Sequence, residues 1–249
     1  MRTMIPWRTV LLALVLATSG ISALHAQEMK KKAKPKVILQ RDRLAQQFDT
    51  VDVVKNVIKL NPLLFFRGEI PLYYERALTH RLSAEVAIGF TWRNYLNVSF
   101  AGDDADDYGR GTELLARPSY HFGFRYYLVD DIEPQGTYLH LEFAHLNYSK
   151  DIRTKQDSTG ALTDDRLRDQ RIYNDLRLLF GYQRLSATSN WLFDVYAGVG
   201  LRDRNMQIVK EYTRRDMDND NAIYFDYEVV PQDDITVAFF LGLKVGLAF

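Results

Sequence analysis

The chain has 249 residues, 32 basic and 32 acidic side chains and no cysteine, so it carries no formal net charge and can form neither a disulfide nor a lipid-modified cysteine. A balanced chain of this kind has no global attraction for nucleic acid. Mean hydropathy is slightly polar at −0.26, and no apolar run approaches the twenty or so residues of a membrane helix, which excludes a helical membrane protein.

At the start of the chain, Arg2 and Arg8 precede an apolar run over 10–17, and small residues lead to a cleavage point after Ala26. This is the layout of a secretory signal peptide over 1–26, with Leu24 at minus three bulkier than the usual small residue. Its removal takes away two arginines and no acid, leaving about two excess negative charges. Residues 27–52 read as a periplasmic N-terminal segment: a basic spacer with Lys30, Lys31, Lys32, Lys34 and Lys36 around Pro35, then a short amphipathic helix over 37–52.

From residue 53 onward the period is two. Over 53–63, Ile58 and Leu60 oppose Lys59 and Asn61 until Pro62 ends or bulges the strand. A turn at Arg67, Gly68 and Glu69 leads into 70–78, with Ile70, Leu72 and Tyr74 on the apolar face. Over 82–92, Leu82, Ala84, Val86, Ile88, Phe90 and Trp92 alternate with Ser83, Glu85, Ala87, Gly89 and Thr91. Four further strands follow over 119–128, 137–148, 173–185 and 191–202. The eighth, 235–249, sets Ile235, Val237, Phe239, Leu241, Leu243, Val245, Leu247 and Phe249 against a face with Gly242, Lys244, Gly246 and Ala248.

The connections after strands two, four and six are short, and those over 93–118, 150–172 and 203–234 are long and polar. Alternating strands of about ten residues with short turns at one end and long loops at the other predict an all-β fold. It is an eight-stranded antiparallel up-and-down transmembrane β-barrel over 53–249, with short periplasmic turns and long extracellular loops, in the outer membrane of a Gram-negative bacterium. A soluble barrel would reverse the faces, placing the bulky residues inside. Only the small and polar set fits a narrow lumen.

The blocks Val57-Ile58-Lys59-Leu60-Asn61-Pro62 and Ile70-Pro71-Leu72-Tyr73-Tyr74-Glu75, the 82–90 strand and the closing Gly242 to Phe249 carry a resemblance. The chain resembles small outer-membrane barrels of OmpA- and OmpX-like architecture, most of all Bacteroidetes-type barrels of unassigned function. The resemblance implies that Phe249 is part of the signal read by the barrel assembly machinery. It carries over no catalytic residue.

Inward positions collect Lys59, Glu75, Glu85, Arg125, His140, Glu142, Arg177, Asp194 and Lys244. Charges in a narrow lumen must neutralise one another, which predicts a polar plug and a non-enzymatic structural or surface-interaction protein without a cofactor. Two other functions compete: a lipid-modifying hydrolase, with His140 and Glu142 as base and orienter and Ser119 as nucleophile, and a narrow small-solute pore. Asp216, Asp218 and Asp220 form a weak calcium candidate in the last long connection, where Tyr227 falls at the position that needs a glutamate. Expected partners are outer-membrane lipids, lipopolysaccharide and an extracellular loop ligand; Arg202, Arg204, Lys210, Arg214 and Arg215 read most plainly as solvated loop cations, with binding of lipopolysaccharide phosphates as the alternative.

Overall fold

The structure, a computed structural model, describes residues 40–50, 54–92, 111–131, 133–215 and 223–249. The expected signal peptide, the basic spacer and the aspartates of 216–220 lie outside the described residues. The amphipathic segment forms helix α1, Gln40–Thr50, with Phe48 buried and the Lys55 ammonium 4.7 Å above its ring. The strands are β1, Asn56–Leu60; β2, Glu69–Ala77; β3, Leu82–Thr91; β4, Thr112–Leu115; β5, Arg117–Tyr127; β6, Gly136–Lys155; β7, Leu162–Leu185; β8, Trp191–Arg215; and β9, Ile223–Ala248.

These nine strands make one antiparallel sheet, and eight of them close in a ring. Each ring strand pairs with the next in sequence, β6 pairs with β7, and β1 pairs with β9. The additional strand β4 continues the β5 run past Ala116 and pairs with β6 alone, Leu115 opposite Ser149. Closure is staggered. Cross-strand partners lead from Val237 through Leu201, Leu176, Phe143, Phe122, Val86, Tyr74 and Ile58 back to β9 at Leu247. The return point is ten residues along the strand from the start (237 to 247), a stagger that inclines the strands about 40° to the ring axis.

Three expectations need correction. The first strand stops at Leu60, because Asn61 caps a helical turn, α2 (Pro62–Phe66): its side chain accepts from the Leu63 N–H at 3.2 Å, and Pro62 takes the first helical position, where a missing N–H costs nothing. The connections expected as long loops over 150–172 and 203–234 are mostly strand: β6 and β7 pair out to Lys155 opposite Leu162, β8 and β9 out to Arg215 opposite Ile223. Their sequence is polar on both faces because both faces are wet there, so alternation fades while pairing persists, helped by cross-strand contacts such as Asp151 with Arg168 at 2.9 and 3.1 Å. That guanidinium holds the Asp151 carboxyl below the ordinary carboxylate range. Finally, among the described residues the sheet has nine strands where eight were expected, although the ring itself keeps eight.

The interior is layered along the axis. Val57, Leu192 and Ala248 form an apolar floor at the short-turn end, Tyr127, Tyr138, Leu179, Tyr196, Ala238 and Phe240 a middle layer, and Leu146, Tyr148, Tyr173, Met206 and Ile208 an upper one. Large inward rings fit because glycines face them from the neighbouring strand: a Cβ on Gly242 would lie 2.1 Å from the Tyr196 ring, and one on Gly181 2.4 Å from Tyr138. Since those rings are buried and hydrogen-bonded, they have little room to retreat. Gly242→Val is expected to cost about 1–3 kcal/mol of overpacking, read as a lower urea midpoint of the folded protein, with Gly242→Ala costing less.

Candidate functional site: the ionic interior of the ring

Alternation turns one side chain in two toward the axis, and on these strands the inward set is ionisable. Glu75 on β2 lies directly opposite Glu85 on β3, a like-charge pair that destabilises a sheet unless cations sit between. Lys59 and Arg125 supply them. The Lys59 ammonium binds Glu75 and lies 3.2 Å from Glu85, 3.4 Å from Asp194 and 2.7 Å from the Gln183 carbonyl oxygen. The Arg125 guanidinium reaches Glu85 at 2.6 Å, Asp194 at 2.7 Å and Gln183 at 2.8 Å, with its plane 4.5 Å from the Tyr138 ring. Hydroxyls fill the remaining acceptor sites: Ser83 and Tyr127 donate to Glu75, and Tyr138 donates to Asp194.

One step up the axis, Lys244 contacts Glu85 at 2.5 Å and stands 3.8 Å above the Tyr73 ring. Glu142 then accepts from Arg177 at 2.8 Å and meets His121 at 3.1 Å, while the other nitrogen of His121 meets Glu69 at 2.5 Å. Arg177 also binds Asp175 at 2.6 Å, and Asp175 takes a two-point contact from Arg202 at 2.8 and 3.0 Å. Six buried carboxylates, Glu69, Glu75, Glu85, Glu142, Asp175 and Asp194, thus face Lys59, Arg125, Arg177, Arg202 and Lys244, with His121 between two of them.

All nine inward residues singled out from the sequence are buried in this one network. His140 is its weakest member, 3.8 Å from Glu142 and without a hydrogen-bond partner on either ring nitrogen. The histidine held by carboxylates is His121, and the Ser119 hydroxyl is buried without a hydrogen-bond partner. Ser119 and His140 therefore do not form the nucleophile and base expected for a hydrolase. Arg202 and Arg204, read from the sequence as loop cations, are instead buried and engaged by Asp175 and Asp234, whereas Lys210, Arg214 and Arg215 are exposed on β8.

Glu69, Asp175 and His121 are the members that the sequence did not bring forward as a site. Glu69 was hidden by its place beside Gly68, where it reads as a turn residue. Its parity, shared with Tyr73 and Glu75, was the available signal. Asp175 shares the parity of Arg177 in the same way.

Glu85, His140 and Glu142 bring ligand atoms within 4.8 Å of one another, the spacing of a metal site. The carboxylates are already matched, Glu85 by Arg125 and Lys244 and Glu142 by Arg177, so a divalent cation would enter beside three fixed positive charges. The set suits an internal ion-pair network better than a bound cation. At the mouth opposite the short turns, the cavity beside Trp92, Tyr148, Lys150 and Arg171 holds about 10 Å³, space for one water at most.

Compared with known proteins, the chain matches no family model, no curated protein and no solved structure.

Removing one partner of a buried ion pair leaves the other uncompensated and costs about 3–5 kcal/mol. Lys59→Met should therefore lower the urea midpoint of the folded protein sharply, and adding Glu75→Gln should restore part of the loss, giving a non-zero coupling energy in the double-mutant cycle.

Proposed function

We propose that this chain is an outer-membrane β-barrel with a structural or surface-interaction role, its lumen closed by the ionic network, exported by the segment 1–26 and similar in kind to the small barrels it resembles. The observation that carries this reading is its inverted sidedness. Around the ring Leu178, Phe180, Phe193, Val195, Leu201 and Leu241 point outward at 52–71 % of full exposure, while Lys59, Glu75, Arg125, Asp194 and Lys244 are 0 % exposed inside. In water such a belt would be an apolar patch far beyond what monomeric proteins expose. In hydrocarbon the same belt is solvated, and pairing between neighbouring strands satisfies most of the ring's backbone polar groups.

Aromatic residues favour the band edges. Trp92 and Tyr120 lie toward the β6–β7 hairpin end, Tyr126, Tyr182 and Trp191 toward the short turns, as interfacial anchors do. The turns after β2, β5 and β7 are brief, while the β6–β7 and β8–β9 hairpins rise far beyond the belt at the other end, the asymmetry of barrels whose short turns face the periplasm. The surface presented outward is a paired, rigid hairpin wall, a platform suited to holding a partner or lipopolysaccharide phosphates at Lys210, Arg214 and Arg215. Neutralised charges and a nearly filled interior favour a plug over a pore.

Two measurements test this. Nitroxides at Val199 and Leu178 should show the oxygen accessibility of an acyl-chain environment, and the protein without signal peptide should require detergent or lipid to stay dispersed; a compact monomer in plain buffer would end the proposal. Leu178→Arg should cost about 2–4 kcal/mol of insertion if the position lies near mid-bilayer, read by refolding into lipid vesicles, and planar bilayers loaded with wild type should show no steady conductance steps.

A further inference from the structure

At the short-turn end, a cavity of about 450 Å³ lies between helix α1 and the outside of the ring. Ala45 and Phe48 form its helix side, and Leu78 and Leu82, from the hairpin that joins β2 to β3, form the other. At about 30 Å³ per atom, a water molecule's share of the liquid, this is room for about fifteen non-hydrogen atoms. A mostly apolar pocket of this size, with a few polar groups at fixed points, is the usual form of a small-molecule site.

The polar groups gather on the hairpin side, where Thr79, His80 and Arg81 reach the cavity. The His80 side chain is nine-tenths buried, and its Nε2 has no hydrogen-bond partner, the Asp130 carboxylate being 3.8 Å away. A buried polar atom left in this state is costly. The hairpin that holds it is fixed. The Leu78 and Thr79 N–H groups donate to the Leu82 carbonyl at 2.8 and 3.0 Å, and the Thr79 hydroxyl oxygen accepts from the N–H groups of Arg81 at 3.3 Å and Leu82 at 3.0 Å. With its oxygen so occupied, that hydroxyl has its proton to donate.

Charge at this end favours an anion. Arg81 holds Asp130 at 2.5 Å through two nitrogens and donates to the Tyr126 hydroxyl at 3.2 Å, so the carboxylate is already matched. The Lys55 ammonium, 4.7 Å above the Phe48 ring, adds a further positive charge beside the helix wall.

We infer that this cavity binds a single-chain aliphatic carboxylate, its chain between α1 and the leucines of the hairpin and its head at Thr79 and His80. The carboxylate accepts from the Thr79 hydroxyl and from His80 Nε2, which gives the buried imidazole nitrogen the partner it lacks. One chain suits the volume, and a two-chain lipid does not. Leu78 and Tyr126 are exposed on the outward face beside the cavity, so in the membrane placement proposed above a chain can enter from the bilayer while its head stays at the interface. Binding itself does not depend on that placement.

A palmitate analogue with a mid-chain diazirine tests the site. It is photolysed with the folded protein in nanodiscs or in plain buffer, whichever keeps the protein dispersed, and the adducts are mapped by mass spectrometry. They should concentrate on peptides containing Phe48 and on those containing Leu78 to Leu82, and unlabelled palmitate should displace them. His80→Ala should lower their yield about ten-fold, the scale of one hydrogen bond to a charged group. Ala45→Trp, which fills the cavity from the helix, should remove them. Both substitutions lie outside the ring interior, and an unchanged urea midpoint would show the ring intact. Phosphatidylcholine with the same diazirine chain should label these peptides no more than the rest of the chain. Adducts spread evenly over the protein, yields unchanged in both variants, or equal enrichment with phosphatidylcholine would each overturn the site.

Discussion

Everything in this structure depends on neutralising the charges buried inside the ring. Glu75 and Glu85 face each other across β2 and β3, and only the insertion of Lys59 from β1 and Arg125 from β5 makes that pairing tolerable. Such networks add little net stability, since desolvating the ions offsets their attraction. They contribute register. A slip of one residue on any ring strand would turn its charges outward and its leucines inward, and the partners left behind would be buried and unmatched. The ionic core thus selects one alignment among several that the apolar residues alone would permit.

The sequence made the sidedness legible because two faces of opposite character impose a strict period. Lys59, Arg125, Asp194 and Lys244 each stand between bulky apolar neighbours, and each is buried as that pattern requires. The pattern fails where both faces meet water, which is why the upper halves of β6 to β9 read as loops although their ladders run on to Lys155 and Arg215. It fails again at Glu69 and at α2, where Gly68 and Pro62 are turn signals whose outcome depends on tertiary contacts. Pair identities were also beyond it: parity places His121 and His140 on the same interior, but only the stagger of β5 against β2 decides that His121, and not His140, lies between two carboxylates.

The wall has unequal height. β1 to β3 span five to ten residues, β7 to β9 twenty-four to twenty-six. The tall side braces itself: the Ser158 N–H donates to the Ile223 carbonyl at 2.7 Å, the Phe225 N–H to Asp157 at 2.9 Å, and Lys155 binds Glu211 at 2.6 Å. These contacts join the two hairpins near their ends, so each supports the other.

The β1–β9 seam also sets an order of events during folding. Val57 closes on Ala248 across nearly the whole ring-forming chain, and loop closure over such a span is entropically disfavoured until the intervening hairpins have formed. Lys59 depends on that step, because Asp194 and Gln183 reach it only when β7 and β8 have curled round to β1. Until then its ammonium and the acids around it remain hydrated. The last strand to dock is therefore the one that dehydrates the interior, and maturation of the core is coupled to completion of the polypeptide rather than to the appearance of its first hairpins.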